Sequence, residues 1–137
     1  MADYFTNFSV VIPFQHSSHI KAAVTIAEQA RHHRFEDEPL PKDFPASLVE
    51  VVEDWSFETD ATEEGLWLHS DSGGIDAVCV FIQFLLVKFI PTSSVELEWS
   101  HDCSKPKMDA FGGGAAYITA TDIKTINTSE WLRSVAA

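Results

Sequence analysis

Basic side chains are scarce: nine Lys and Arg stand against 21 Asp and Glu in 137 residues, a formal charge of −12 with the histidines neutral. A protein that holds nucleic acid by its backbone neutralises phosphates with Lys and Arg, and this chain is short of both. The same charge repels an anionic membrane surface. Cysteine is scarce as well, and Cys79 and Cys103 sit in unlike contexts that give no disulfide framework. A run of membrane-spanning length is also missing. The most apolar window, Ile75 to Ile90, holds 13 apolar residues in 16 and is interrupted by Asp76, Gln83 and Lys88, against the ~20 residues that a span requires. Met1-Ala2-Asp3-Tyr4-Phe5 lacks the cationic start and apolar core of a signal peptide. The expectation is a cytoplasmic protein that contacts neither nucleic acid nor membrane directly.

What is present is enough for a core. Hydrophobic residues make up 45% of the chain and aromatic ones 12%, far from the charge-dominated composition of disorder, and the length suits one domain over residues 1–137 without staples.

Tyr4 to Phe14 reads as a strand ended by Pro13. Ser17 or Ser18 then caps a helix whose Ile20, Ala23, Val24, Ala27 and Ala30 recur on one face, ending near Arg31-His32-His33-Arg34, where cations meet the negative end of the helix dipole. Phe35 to Ser47, with three prolines, reads as a loop. From Leu48 the period changes to two, with Val49, Val51, Trp55 and Phe57 opposite Glu50, Asp54 and Glu58, which predicts a half-exposed strand. Thr59 to Gly65 is an acidic turn and Leu66 to His69 the returning arm of a hairpin. Ser70-Asp71-Ser72-Gly73-Gly74 offers a turn and an N-cap before a helix over Ile75 to Phe89. Val95 to Cys103 alternates as a strand, Ala115 to Thr121 reads as another, and Thr128 or Ser129 caps a short terminal helix through Trp131 and Leu132. This order predicts an α+β fold: a ferredoxin-like β-α-β-β-α-β unit with an additional C-terminal strand and short helix, both helices on one face of an antiparallel sheet. The other face stays open to solvent, a partner or a second copy. The Ile75 to Ile90 helix is apolar on nearly all sides, so the first helix and terminal segment must cover it, or a second subunit does, giving a homodimer.

Between Asp43 and Val87 there are ten acids and no Lys or Arg. Glu50, Glu53, Asp54, Glu58, Asp60, Glu63 and Glu64 fall on the expected hairpin, spaced along a strand by roughly 6 to 7 Å per residue pair, comparable with phosphates along nucleic acid. Such a surface can occupy a basic groove on a protein partner, or it can merely keep the protein soluble. A second candidate site is Cys103-Ser104-Lys105-Pro106-Lys107 followed by Gly112-Gly113-Gly114, where free amides and two lysines would hold a phosphate or carboxylate group such as a nucleotide's. The alternative is a long hairpin loop whose glycines make a bulge. His101 and Cys103, i and i+2 on one strand face, could form a thiol site with Lys105, although Asp102 and the acidic surroundings oppose a thiolate. No metal site is expected: His16 and His19 lie at the opposite end of one helix from His32 and His33, and neither a calcium-loop pattern nor paired cysteines occur. No cofactor is expected either.

Trp99-x3-Cys103-Ser104-Lys105-Pro106 followed by Phe111-Gly112-Gly113-Gly114-Ala115, with the Trp131-Leu132 ending, resembles small acidic proteins of unknown function encoded by bacteriophages, prophages and bacteria. The resemblance spans roughly Leu66 to Leu132. It implies no catalytic residue. By analogy it favours a protein that blocks a host complex handling nucleic acid. The leading expectation is therefore a non-enzymatic acidic protein that occupies a basic, nucleic-acid-binding site of a host protein such as a defence nuclease complex. A small anionic-ligand binder is the alternative, and a thiol enzyme comes third.

Overall fold

The computed structural model describes residues 2–107 and 110–137. Alternating apolar residues place Phe8 and Ile12 of β1 (Tyr4–Ile12), Leu66 and Leu68 of β3 (Leu66–Ser70), Val95 and Leu97 of β4 (Ser94–Cys103), and Ala116 and Ile118 of β5 (Gly112–Thr119) on one buried face of a sheet. β2 (Glu58–Ala61) and β6 (Ile123–Asn127) form its edges. The order is β2-β3-β1-β4-β5-β6 with every pairing antiparallel. β1 divides its length between two neighbours. Phe8–Ile12 pairs with β3, and Tyr4–Asn7 pairs with the far end of β4.

An open antiparallel sheet with helices on its buried face is what the sequence predicts, but the strand inventory differs. Six strands replace the five expected. β6 was missed because Ile123–Asn127 is short and half-polar; a tight turn sets it up, with the Thr119 N–H donating to the Asp122 carbonyl at 2.9 Å. The glycines expected in a loop are instead the first residues of β5.

The larger correction concerns residues 48–58. Ala46–Asp54 is a 3-10 helix rather than a strand. Leu48, Val52 and Trp55 are buried while Val49 is half exposed, so the i, i+4, i+7 series determines the structure and the alternation is incidental. This segment lies over α2 (Ile75–Phe89), and it supplies from within the chain the cover that the apolar helix needs. Trp55, Phe57 and Phe81 form the aromatic centre of the core, with ring centroids 4.8 to 5.9 Å apart. Gln83, on the thin polar stripe of α2, donates to the Thr119 carbonyl at the end of β5.

α1 (Ser17–Glu36) buries Ala23, Ala27 and Ala30 as expected. Its N-cap is His16 without a side-chain hydrogen bond, so neither Ser17 nor Ser18 caps it. At its other end Asp37 takes the left-handed conformation, φ 57°, and returns its N–H to the His32 carbonyl. α3 (Thr128–Ala136) is capped by Asn127, whose side-chain oxygen accepts the Glu130 N–H at 2.8 Å, one residue before the expected cap. No helix among the described residues is long and apolar enough to cross a membrane.

Candidate functional site

The seven acids singled out in the sequence do not share one surface. Glu50, Glu53 and Asp54 stand on the 3-10 segment in the helical layer, Glu58 and Asp60 on β2, and Glu63 and Glu64 in the β2–β3 turn. Several are already engaged. The Asp54 carboxylate accepts the Ala77 N–H at 3.1 Å and so serves the first turn of α2. Glu53 lies 3.8 Å from Arg34. Asp60 and Glu58 flank His69 at 2.7 and 3.6 Å, with Trp67 stacked on the imidazole at 3.7 Å. Glu50, Glu63 and Glu64 have no ion-pair partner among the described residues.

Register shows where acid accumulates. Glu58 faces His69 across β2–β3, and His69 faces Ser9; Asp60 faces Trp67, which faces Val11. All lie on the face opposite the core. On the same face β4 adds Glu96, Glu98 and Asp102, with Glu96 opposite Tyr117 and Glu98 opposite Ala115. Asp102 accepts from the Asn7 amide at 3.2 Å. Between these acids Phe5, Val11, Tyr117 and Ile126 are exposed. Lys124, opposite Tyr117, is the one Lys or Arg on the strands of this face among the described residues. Two shallow grooves of about 500 and 370 Å³ run along it, both lined by Glu98, Ala115 and Ile126, and Trp131 of α3 closes the end of the larger. The alternation of Glu96, Glu98 and Asp102 was visible in the sequence as the polar side of a strand. Its adjacency to β2's acids through β3 and β1 was not.

The second candidate site is dispersed. Gly112 pairs with His101, Gly113 with Ser100 and Gly114 with Trp99, so the glycines are ladder residues, and the Gly113 N–H is donated to Thr128 Oγ1 at 3.0 Å. The glycines serve close packing: a Cβ on Gly114 would strike the Trp99 ring and lie 2.6 Å from the Ile126 carbonyl oxygen. Ser104 is tied to Asp3 by two hydrogen bonds, and Lys107 Nζ lies 5.6 Å from the Tyr4 ring. Lys105 is exposed. In the thiol candidate, His101 Nδ1 meets Thr6 Oγ1 at 2.8 Å. No hydrogen bond joins His101 to Cys103 among the described residues. Cys79 is buried in α2, and burial, followed by the charge of Asp76, pushes its thiol up from 9.0 to about 11.

At the end of α1, His32, Glu36 and Glu38 bring three potential ligand atoms within 4.8 Å of one another, all on exposed residues. The imidazole lies 3.8 Å from Glu36 and 3.5 Å from Glu38. No protein-family model matches the chain, and neither does any curated protein or solved structure.

Proposed function

We propose that the protein is a non-enzymatic binding module whose uncovered sheet face docks on a basic surface of a protein partner. The observation that carries this reading is the combination on that face: Glu58, Asp60, Glu96, Glu98 and Asp102 interleaved with exposed Phe5, Tyr117 and Ile126. Apolar side chains left in water are available for burial against a partner. The acids select a basic partner and speed the encounter. A groove that otherwise holds nucleic acid, as in a host nuclease complex, is the kind of basic surface that suits such a face. The same proposal treats β1-α1-β2-β3-α2-β4 as a ferredoxin-like unit widened by β5 and β6, supported by the adjacency β2-β3-β1-β4.

Pull-down from host lysate with the wild-type chain, the Glu96→Lys/Glu98→Lys variant and the Glu50→Lys variant tests this at about 50 mM and about 500 mM salt, Debye lengths of roughly 14 and 4 Å. Wild type and Glu50→Lys should retain the same partner at low salt and release it at high salt, whereas the double variant should not retain it at all. Equal recovery by all three proteins, or recovery insensitive to salt, refutes the proposal.

A further inference from the structure

We propose that the cleft between the C-terminal end of α1 and the β2–β3 edge binds a phosphate monoester whose remaining part carries hydroxyl groups. The cleft, about 730 Å³, is lined by Arg31, Arg34 and Phe35 of α1, by Ser56 and Glu58, and by His69 to Ser72. The chain has three arginines, and two of them line this cleft. Both guanidinium carbons lie 5.2 Å from the Phe35 ring centroid, which holds the two cations at one place. Arg31 donates one N–H to the Phe57 carbonyl at 2.7 Å, and its other N–H groups have no hydrogen-bond partner among the described residues. Arg34 donates to the Glu53 carbonyl oxygen and lies 3.8 Å from the Glu53 carboxylate, and its Nε is buried without a partner among the described residues. That Nε is a donor a ligand reaches only if the Arg34 side chain shifts, since buried donors are otherwise nearly always satisfied within the fold. A guanidinium matches the paired oxygens of phosphate better than any other side chain does.

The rest of the lining decides what the phosphate is attached to. Ser56, Ser70 and Ser72 line the cleft from two chain segments, and each hydroxyl already donates within the protein, Ser56 Oγ to the Ser72 carbonyl at 3.2 Å, Ser70 Oγ to the Ser56 carbonyl at 3.4 Å and Ser72 Oγ to the Asp71 carboxylate at 2.7 Å, so these oxygens serve a ligand as acceptors. Glu58 and Asp71 repel an anion but accept hydrogen bonds from sugar-type hydroxyls. The C-terminal end of α1 contributes about half a negative charge, and with Glu58 and Asp71 the lining carries no net positive charge, so the phosphate is held by the directed N–H donors of the two guanidiniums rather than by the field of the cleft. A bare phosphate would leave most of the volume empty, whereas the volume lies within the ~300 to 1,000 Å³ usual for small-molecule sites.

Titration calorimetry of the full chain with inorganic phosphate, ribose 5-phosphate and adenosine 5′-monophosphate tests the assignment. At least one ester should bind with one molecule per chain and at least tenfold more tightly than inorganic phosphate. Arg31→Gln should weaken that binding at least tenfold. If Arg31→Gln fails to fold, Ser72→Asp serves instead, because it places a carboxylate in the cleft at an exposed position. Lys105→Gln/Lys107→Gln should bind as wild type does. The proposal is overturned by no binding of either ester, by esters no tighter than inorganic phosphate, by unchanged affinity in a folded Arg31→Gln or in Ser72→Asp, or by loss of binding in the double lysine variant.

Discussion

Replacing Asp54 with alanine removes the hydrogen bond that its carboxylate accepts from the Ala77 N–H, 23 residues along the chain. The N-cap of α2 is Gly74, which has no side chain to offer, so the Ala77 amide would lose its acceptor inside the first turn. Side-chain capping bonds contribute about 0.5 to 2 kcal/mol. Ala77 is fully buried, and water cannot readily replace the carboxylate, which places the cost at the upper end, about 1.5 to 2 kcal/mol. For 137 residues, an unfolding entropy of about 0.29 kcal/mol/K converts each kcal/mol into roughly 3.5 °C. Asp54→Ala should therefore lower Tm by about 5 to 7 °C in differential scanning calorimetry. Asp54→Asn keeps an oxygen acceptor and loses only the charge–dipole attraction, so it should cost no more than about 1 kcal/mol. Glu50→Ala, on the same segment but without an ion-pair partner among the described residues, should stay within about 0.5 kcal/mol of wild type. If Asp54→Ala melts no lower than Glu50→Ala, the carboxylate is not supporting α2 and belongs with the free surface acids.

Gly114→Ala should cost about 1 to 3 kcal/mol through overpacking and alter the near-ultraviolet dichroism of Trp99; an unchanged spectrum and melting temperature would contradict the close approach of that ring. Phe81→Ala, at the centre of the aromatic cluster, should cost about 3 to 5 kcal/mol, read as a lower denaturant midpoint, and a loss under about 1.5 kcal/mol would show that Phe81 is not central. The thiol of Cys79 is raised from 9.0 to about 11 in the folded chain, so its neutral form is favoured by folding. That contribution is intact below pH 9 and is lost as pH rises toward about 11. Melting measured across this interval should fall less steeply in Cys79→Ala, and equal slopes would argue against the burial effect.

Elements whose apolar pattern follows one clear period were legible. β1, α1, β3, α2 and β4 lie close to where Tyr4, Ala23, Leu66, Ile75 and Val95 suggested, because burial of one face against the core enforces that period. The segment 48–58 was misread because two periods coexist: Val49, Val51, Trp55 and Phe57 alternate, while Leu48, Val52 and Trp55 recur as in a helix. Only the surface of α2 selects between them. The candidate face was half legible. Its acids on β2 were noted in the sequence, but Glu96, Glu98 and Asp102 lie some 35 to 45 residues away and join them only because β3 and β1 intervene in the sheet. The arginine cleft was not legible at all, since Arg31 and Arg34 looked like ordinary helix-terminal cations, Ser56 like a residue of the expected strand and Ser70 like part of a turn.

By itself the sequence determined the charge of −12, the apolar faces and the two long helices, because these follow from side-chain chemistry and local periodicity. Tertiary structure decided which acid is used for what. Asp54 caps a distant helix, Asp60 holds His69, and Glu96 and Glu98 are left to the open face. The physical reason is that a carboxylate's role depends on which donors come within about 3 Å of it, and in an antiparallel sheet those neighbours are set by strand order and register, which bring together residues far apart in the chain.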